Sequence, residues 1–295
     1  MSCATQPTPT RWPLRALMTL TGVRGDEALN CDGHGTVPVS DMEISARLKQ
    51  ATNRLKAQGI DSENGRVDYR ALAGSSAFSE YKALTYALRD FDPAALTSDA
   101  ERMAFWINLY NALMIHAVIA YGVRRSVNDD WGFFDRTAYI VGGYRFSAND
   151  IEHGILRANA GHPALPGPWF RADDARQAFC MRSIDVRLHF ALVCAAKSCP
   201  PIAFYEAERL ETQLEVATRN FMSGGGVEID RAQRIVGLSR IFSWYAADFG
   251  ARLFGYWQQE RLLEFAARYA GEDADFLRTP GLRVRFLRYD WTLNV

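Results

Sequence analysis

Two thiols five residues apart, Cys194 and Cys199, sit in the run RLHFALVCAAKSCPP, the first closing an apolar stretch and the second in the turn beyond it. A thiol becomes a nucleophile when a nearby cation or base lowers its pKa, so the partners decide its chemistry. Lys197 is adjacent in sequence, and the candidate bases are His189 and His153. Read as a buried strand ended by Pro200 and Pro201, residues 187–194 put His189 and Cys194 on opposite faces, roughly 16 Å apart. That geometry makes His153, arriving from a separate segment, the better base. Cysteine also packs as a small hydrophobe, so an inert core role for Cys194 stands beside the catalytic one. A turn has less need of a buried thiol, which favours Cys199 as the working sulfur.

His153 belongs to SANDIEHGILRAN, four residues before Arg157 and opposite Ile151 and Ile155. Asp150 or Glu152 beside it supplies the carboxylate that holds an imidazole in one tautomer; a boundary ion-pair cluster is the plain alternative. Asn108 and Asn111, three apart, share one side of a helix, and buried amides must be hydrogen-bonded. They either tie the helix to loop backbone or donate to a developing oxyanion. A metal site built from His189, Cys194, Cys199 and His153 is disfavoured, because structural sites bring cysteines two to four apart with a second ligand pair elsewhere. No metal and no cofactor is expected. Gly224–Gly226 lack a following Lys-Ser or Lys-Thr and read as a turn, and Trp244-Tyr245 reads as core.

The elements that must position these residues follow from spacing. Ser40 with Glu43 caps a helix carrying Ile44, Leu48 and Leu55. A second helix spans 77–90 and stops at Phe91-Asp92-Pro93. RMAFWINLYNALMIHAVIAYG is apolar on nearly every side, but Asn108, Asn111 and His116 within it favour a buried core helix over a membrane span. Gly142-Gly143 joins two β-rich runs as a hairpin, and Ser147 with Asp150 has capping-box spacing for the His153 helix. Residues 160–182, rich in Gly, Pro and charge, read as a lid-like connection. Beyond the thiol turn come a helix at 206–221, a second hairpin at 227–239 and one or two C-terminal helices. The expected architecture is α+β: one domain with a central buried helix, flanking helices and a small, mostly antiparallel sheet built from hairpins. It occupies 61–295, after a partly irregular extension over 1–60 with one helix.

Lys and Arg total 34 against 34 Asp and Glu, with no block of like charge, which argues against a nucleic-acid or polybasic membrane partner. A small molecule or peptide remains as partner. The five cysteines are odd in number and irregularly spaced, unlike a disulfide framework, and arginines interrupt every apolar stretch near residue 1. Reduced thiols and a cytoplasmic location are therefore expected.

AFWINLYNALMIH at 104–116, NDIEHGILR at 149–157, HFALVCAAKSCPP at 189–201, LSRIFSWYAADF at 238–249 and YDWTLN at 289–294 occur in this order. Together they resemble the bacterial domain of unknown function 547 family over roughly residues 66–295. The resemblance implies no assigned activity, and members outside bacteria can lack a cysteine at the place of Cys199. The residues themselves point first to a cysteine-dependent hydrolase or acyltransferase acting on an amide, ester or thioester. In that reading Cys199 or Cys194 is nucleophile, His153 base, Glu152 or Asp150 its orienter, and Asn108 or Asn111 the oxyanion donor. A non-catalytic peptide- or ligand-binding module and a thiol redox protein are the alternatives.

Overall fold

The computed structural model describes residues 3, 6, 22–24, 26–31, 41–61 and 64–295. The Ser40 cap and most of the turn expected at 31–35 lie outside them. The centre is the helix Asp99–Ala120. Ser98 and Glu101 start it with a reciprocal capping box, and no Gly or Pro interrupts it until Gly122, at φ +64°, ends it. It is long and apolar enough to cross a membrane, yet 89% of its most apolar window is buried by the rest of the protein. The helices Asp41–Gly59 and Ser76–Ala87 lean on it, and Ile44, Leu48 and Leu55 enter the same core as Trp106 and Leu113.

The fold is α+β, with small sheets placed around this helix. Ala138–Val141 pairs antiparallel with Tyr144–Ser147 through Gly142-Gly143, both at positive φ as a tight hairpin turn requires. Gly142 also presses on the turn that follows the helix Ser76–Ala87, where an added Cβ would stand 2.8 Å from the Phe91 carbonyl oxygen. A second sheet pairs Val227–Asp230 antiparallel with Ile235–Leu238, and Arg283–Phe286 adds to it in parallel. Sequence spacing misses that last strand, although its alternating exposure is the pattern of an edge strand with one face inward. A second aromatic core, with Phe190, Phe242, Phe249 and Phe265, lies beneath this sheet.

Three expectations change. Residues 187–194 are not a strand: Asp185 caps a 3-10 turn over Val186–Phe190, its side chain accepting from the Arg187 N–H, and irregular chain follows. The parity argument against His189 therefore lapses. The connection 160–182 is anchored over its second part, while His162, Pro163 and Ala164 border the cavity beside the thiols. Trp169 Nε1 donates to Asp150 at 2.7 Å, Arg176 pairs with Asp150 and Asp174, and the Phe170 ring packs so close to Gly154 that a Cβ there would clash at 2.2 Å. Thirdly, Cys3 and Cys31 are joined by a disulfide, so not all thiols are reduced.

Asn108 and Asn111 clamp the loop that carries the thiols. Asn108 donates to the Tyr205 carbonyl and accepts from its N–H. Asn111 donates to the carbonyls of Ala191 and Ala203, at 2.9 and 3.2 Å, and accepts from the Val193 N–H at 3.0 Å. Both amides are thus spent on main chain, and neither borders the cavity that the thiols share. Truncation would leave several buried main-chain groups unpaired, so Asn111→Ala is expected to lower the unfolding free energy by about 3 kcal/mol in urea titration. A loss below about 0.5 kcal/mol, the range of an exposed site, would show that the clamp carries no stability.

Candidate functional site

Beside the central helix lies a cavity of about 370 Å³, bordered by both thiols, Glu152, His153, His189 and Tyr245. Its polar wall starts from the segment Asp150–Leu156, which is wound as a π-helix. The Ser147 hydroxyl and Asp150 carboxylate cap its start reciprocally, as the spacing predicts, and the bonds from Arg157 N to Glu152 O and from Asn159 N to Gly154 O are i to i+5. The wider turn lets the consecutive side chains of Glu152 and His153 border one cavity, which an ordinary helix would send apart. Asp150 faces elsewhere, toward Trp169 and Arg176, and is a structural carboxylate.

Arg157 organises the rest. Its Nε and Nη2 donate to the two carboxylate oxygens of Asp248 at 2.7 and 2.9 Å, and both side chains are only 4% exposed. Asp248 also receives His189 Nε2 at 2.8 Å. Burial pushes the Asp248 carboxyl up, but the donors on His189 and Arg157 outweigh it and hold the group at about 2. Burial lowers the pKa of His189, against the pull of Asp248, and lowers that of His153 still further, with Arg157 adding to it. Both imidazoles are then neutral near pH 7. Since Asp248 accepts the proton on His189 Nε2, the lone pair lies on Nδ1. Arg157 Nη1 is 3.2 Å from His153 Nδ1 and can only donate, so His153 carries its proton on Nε2. The base that the sequence favours is therefore a hydrogen-bond donor at Nε2, and His189, set aside on strand parity, has the free lone pair.

Glu152 does not orient His153. Its Oε1 is 3.9 Å from His153 Nδ1, and it accepts instead from Tyr245 and, at 3.1 Å, from Tyr110. Tyr245 stacks on His189 at 3.9 Å between ring centroids and lies under the Arg157 guanidinium, so a residue read as core is part of the site.

The thiols meet closely. Cys194 Sγ and Cys199 Sγ are 2.8 Å apart, the Tyr289 hydroxyl reaches them at 3.4 and 3.2 Å, and the Cys194 N–H points at Cys199 Sγ at 3.2 Å. Burial raises the Cys199 pKa, but donation from Cys194, Tyr289 and backbone more than reverses it, so this thiol ionises more readily than an ordinary one. Cys194 is pushed the other way, first by its hydrogen bond to Cys199 and then by burial. The loop is shaped by Ala195 at φ +65° and held by the C-terminal segment: Lys197 N and Ser198 N donate to the carbonyls of Thr292 and Asp290, and Asn294 N donates to that of Ala195. Tyr289, Trp291 and Trp244 pack ring against ring behind it. The outer rim of the cavity includes Phe254, in a loop where Leu253, Phe254 and Gln258 all have positive φ and where Leu253, Tyr256 and Trp257 are exposed.

Residues 93–222 match the family model described as "Protein of unknown function, DUF547". This match supports the family that the motifs suggest. The matched stretch of the domain of unknown function 547 family carries the central helix, Glu152, His153, His189 and both thiols, and it stops before Tyr245, Asp248 and Tyr289. No curated protein and no solved structure matches the chain. Among the described residues no cluster of three or more His, Cys, Asp or Glu is arranged to hold a metal ion.

The residues missed by sequence reasoning, Asp248 and Tyr289, are distant in the chain from their partners; the only signal was a charge inside the apolar run IFSWYAADF and a tyrosine in the closing motif. Asp248 gives a pH test. Its folded pKa of about 2 lies below its ordinary 3.8, so the unfolded chain takes up the proton first as pH falls. The associated stabilisation, about 2 kcal/mol, is full above about pH 4 and lost by about pH 2. Asp248→Asn should be less stable at pH 7 and should lack this acid-dependent component in urea titrations. An unchanged slope against pH in the variant would mean that Asp248 is not the group held low.

Proposed function

We propose that Cys194 and Cys199 form a redox-active dithiol that exchanges with the disulfide of a small molecule or peptide bound in the cavity. The observation that carries this reading is the 2.8 Å approach of the two sulfurs, a small shift from the bonded distance of about 2.0 Å. Their opposite pKa shifts divide the labour. The Cys199 thiolate attacks one sulfur of the substrate disulfide; that S–S bond breaks, one substrate thiolate leaves with the electron pair, and a mixed disulfide remains on Cys199. Cys194 then loses its proton and attacks Cys199 Sγ, releasing the second substrate thiolate. The protein is oxidised by two electrons to the Cys194–Cys199 disulfide, and the substrate is reduced to one thiol and one thiolate, the latter taking from water the proton that Cys199 gave up on ionising. His189, neutral and held by Asp248 on the same cavity, takes the proton from Cys194 and returns it to the leaving thiolate. The Cys3–Cys31 disulfide favours an oxidising compartment over the cytoplasm for this exchange.

A second reading keeps Cys199 as the nucleophile of an acyl transfer, favoured by the buried Asp248–His189 pair bordering the thiol's cavity. One variant separates the two. Under mild oxidation by diamide, with Cys180 replaced by Ser, peptide mapping should show a Cys194–Cys199 linkage with loss of two hydrogens. Cys194→Ser should trap a stable mixed disulfide on Cys199 and stop release of the second substrate thiol. Absence of the linkage, with Cys194→Ser still cleaving thioesters, would sink the redox reading in favour of acyl transfer.

A further inference from the structure

Cys199 and Tyr289 border a second cavity on their other side, a groove of about 1090 Å³. Five cationic side chains line it: Lys56, Lys197, Arg209, Arg240 and Arg288. Among the described residues none of the five forms an ion pair, although most arginines elsewhere do. The carboxylates around the groove make their short contacts elsewhere, Glu228, on its wall, with Arg285, Glu206 with Lys49, and Asp290 with the Thr292 N–H and hydroxyl, although Asp290 still attracts Lys197 and Arg288 and Glu206 attracts Arg209 at longer range. In a chain with no net charge, this local excess is a property of placement, invisible to composition. Part of the wall carries no side chain, since a Cβ at Gly224 or Gly225 would meet nothing within 4 Å. A concave site of this size, with more cations than carboxylates on its wall, concentrates anions and is slightly larger than the roughly 300–1,000 Å³ that small ligands fill.

The first cavity has a largely different lining of aromatic and aliphatic side chains from Phe134, Leu192, Ile241 and Trp244. The reactive sulfur therefore stands at the boundary between a mainly apolar chamber, with Glu152, His153 and His189 on its polar wall, and a basic one. We propose that the substrate is a small disulfide with an anionic arm, carboxylate or phosphate, which the basic groove holds while the sulfur meets Cys199 and an apolar portion enters the inner cavity. This proposal rests on the redox reading above and specifies its substrate class.

Two chromogenic disulfides test it, dianionic dithiobis-nitrobenzoate and neutral dithiodipyridine, on protein with Cys180 replaced by Ser. Cys180 is a poor competitor in any case, its thiol being pushed up to about 12 mainly by burial. For each reagent, attack by Cys199 releases one chromophore thiolate and attack by Cys194 the second. The dianion should react faster than the neutral reagent relative to a free model thiol, and the advantage should fall as salt rises to about 1 M, where screening acts over about 3 Å. Arg240→Gln with Arg288→Gln should cut the dianion's rate about tenfold and leave the neutral reagent's rate within about twofold, which also shows that the variant is folded. Equal rates for both reagents, insensitive to salt and to the substitutions, would overturn the groove proposal while leaving the dithiol intact. Failure of the dithiol looks different: both reagents would stop at a mixed disulfide, with no Cys194–Cys199 linkage. A single-stranded oligonucleotide that protects Cys199 better than small polyanions do would overturn the small-anion occupant in favour of nucleic acid.

Discussion

The arrangement around the cavity depends on one buried ion pair, Arg157 with Asp248. Removing two charges from water costs several kcal/mol each, and such a pair is tolerated only where geometry is good and the remaining donors and acceptors are satisfied. Here they are: Arg157 meets both Asp248 oxygens and also bonds His153 and the Gly161 carbonyl, while Asp248 has a third donor in His189. The pair joins the π-helix to the chain after Trp244, and so links the core around the central helix with the aromatic core under the second sheet. It fixes the tautomer of two imidazoles at once, because a guanidinium can only donate and a carboxylate can only accept. Breaking a buried pair by removing one member costs about 3–5 kcal/mol, since the other charge is then stranded.

A second consequence of that pair is electrostatic restraint. With Asp248 neutralised by Arg157, His189 feels a carboxylate that orients it without drawing a second proton onto it, and burial keeps the ring neutral. Tyr245 completes the unit by stacking on His189 and donating to Glu152, so a perturbation at any one of these groups is felt by the others. The thiols stand apart from this network, connected to it by the shared cavity and held from the other side by the C-terminal segment.

Local rules were legible wherever a local cause sufficed. The capping box at Ser147, the Gly142-Gly143 turn, the hairpin at 227–239 and the burial of the long apolar helix all follow from residues a few positions apart. The candidate cavity residues Cys194, Cys199, Glu152 and His153 were also singled out by type and do converge. What failed was the path of the chain through 187–194. A short continuous apolar run is equally compatible with a buried strand or a buried turn, and Asp185, which tips it toward the 3-10 turn by capping Arg187, lies just before it. That single misreading reversed the ranking of His189 and His153. Asp248, Tyr289 and the basic groove need contacts between segments about 60 to 230 residues apart, which no spacing rule reports.

The rim loop around Phe254 has an implication for how a molecule gets in and out. A side-chain-bearing residue in the left-handed region costs on the order of 1–2 kcal/mol, and this loop has three of them between Leu253 and Gln258. Its bend is maintained by the Arg252–Trp257 bridge, the Ser243 hydroxyl on the Phe254 carbonyl, and the packing of Gly255 against Leu262 and Phe286 and of Tyr256 against Phe286. Swinging it outward would release that bend and give up that packing of Gly255 and Tyr256. The strain is spent at the mouth of the cavity, where Leu253, Phe254, Tyr256 and Trp257 hold a greasy rim toward solvent, so an approaching apolar group has somewhere to rest before it enters.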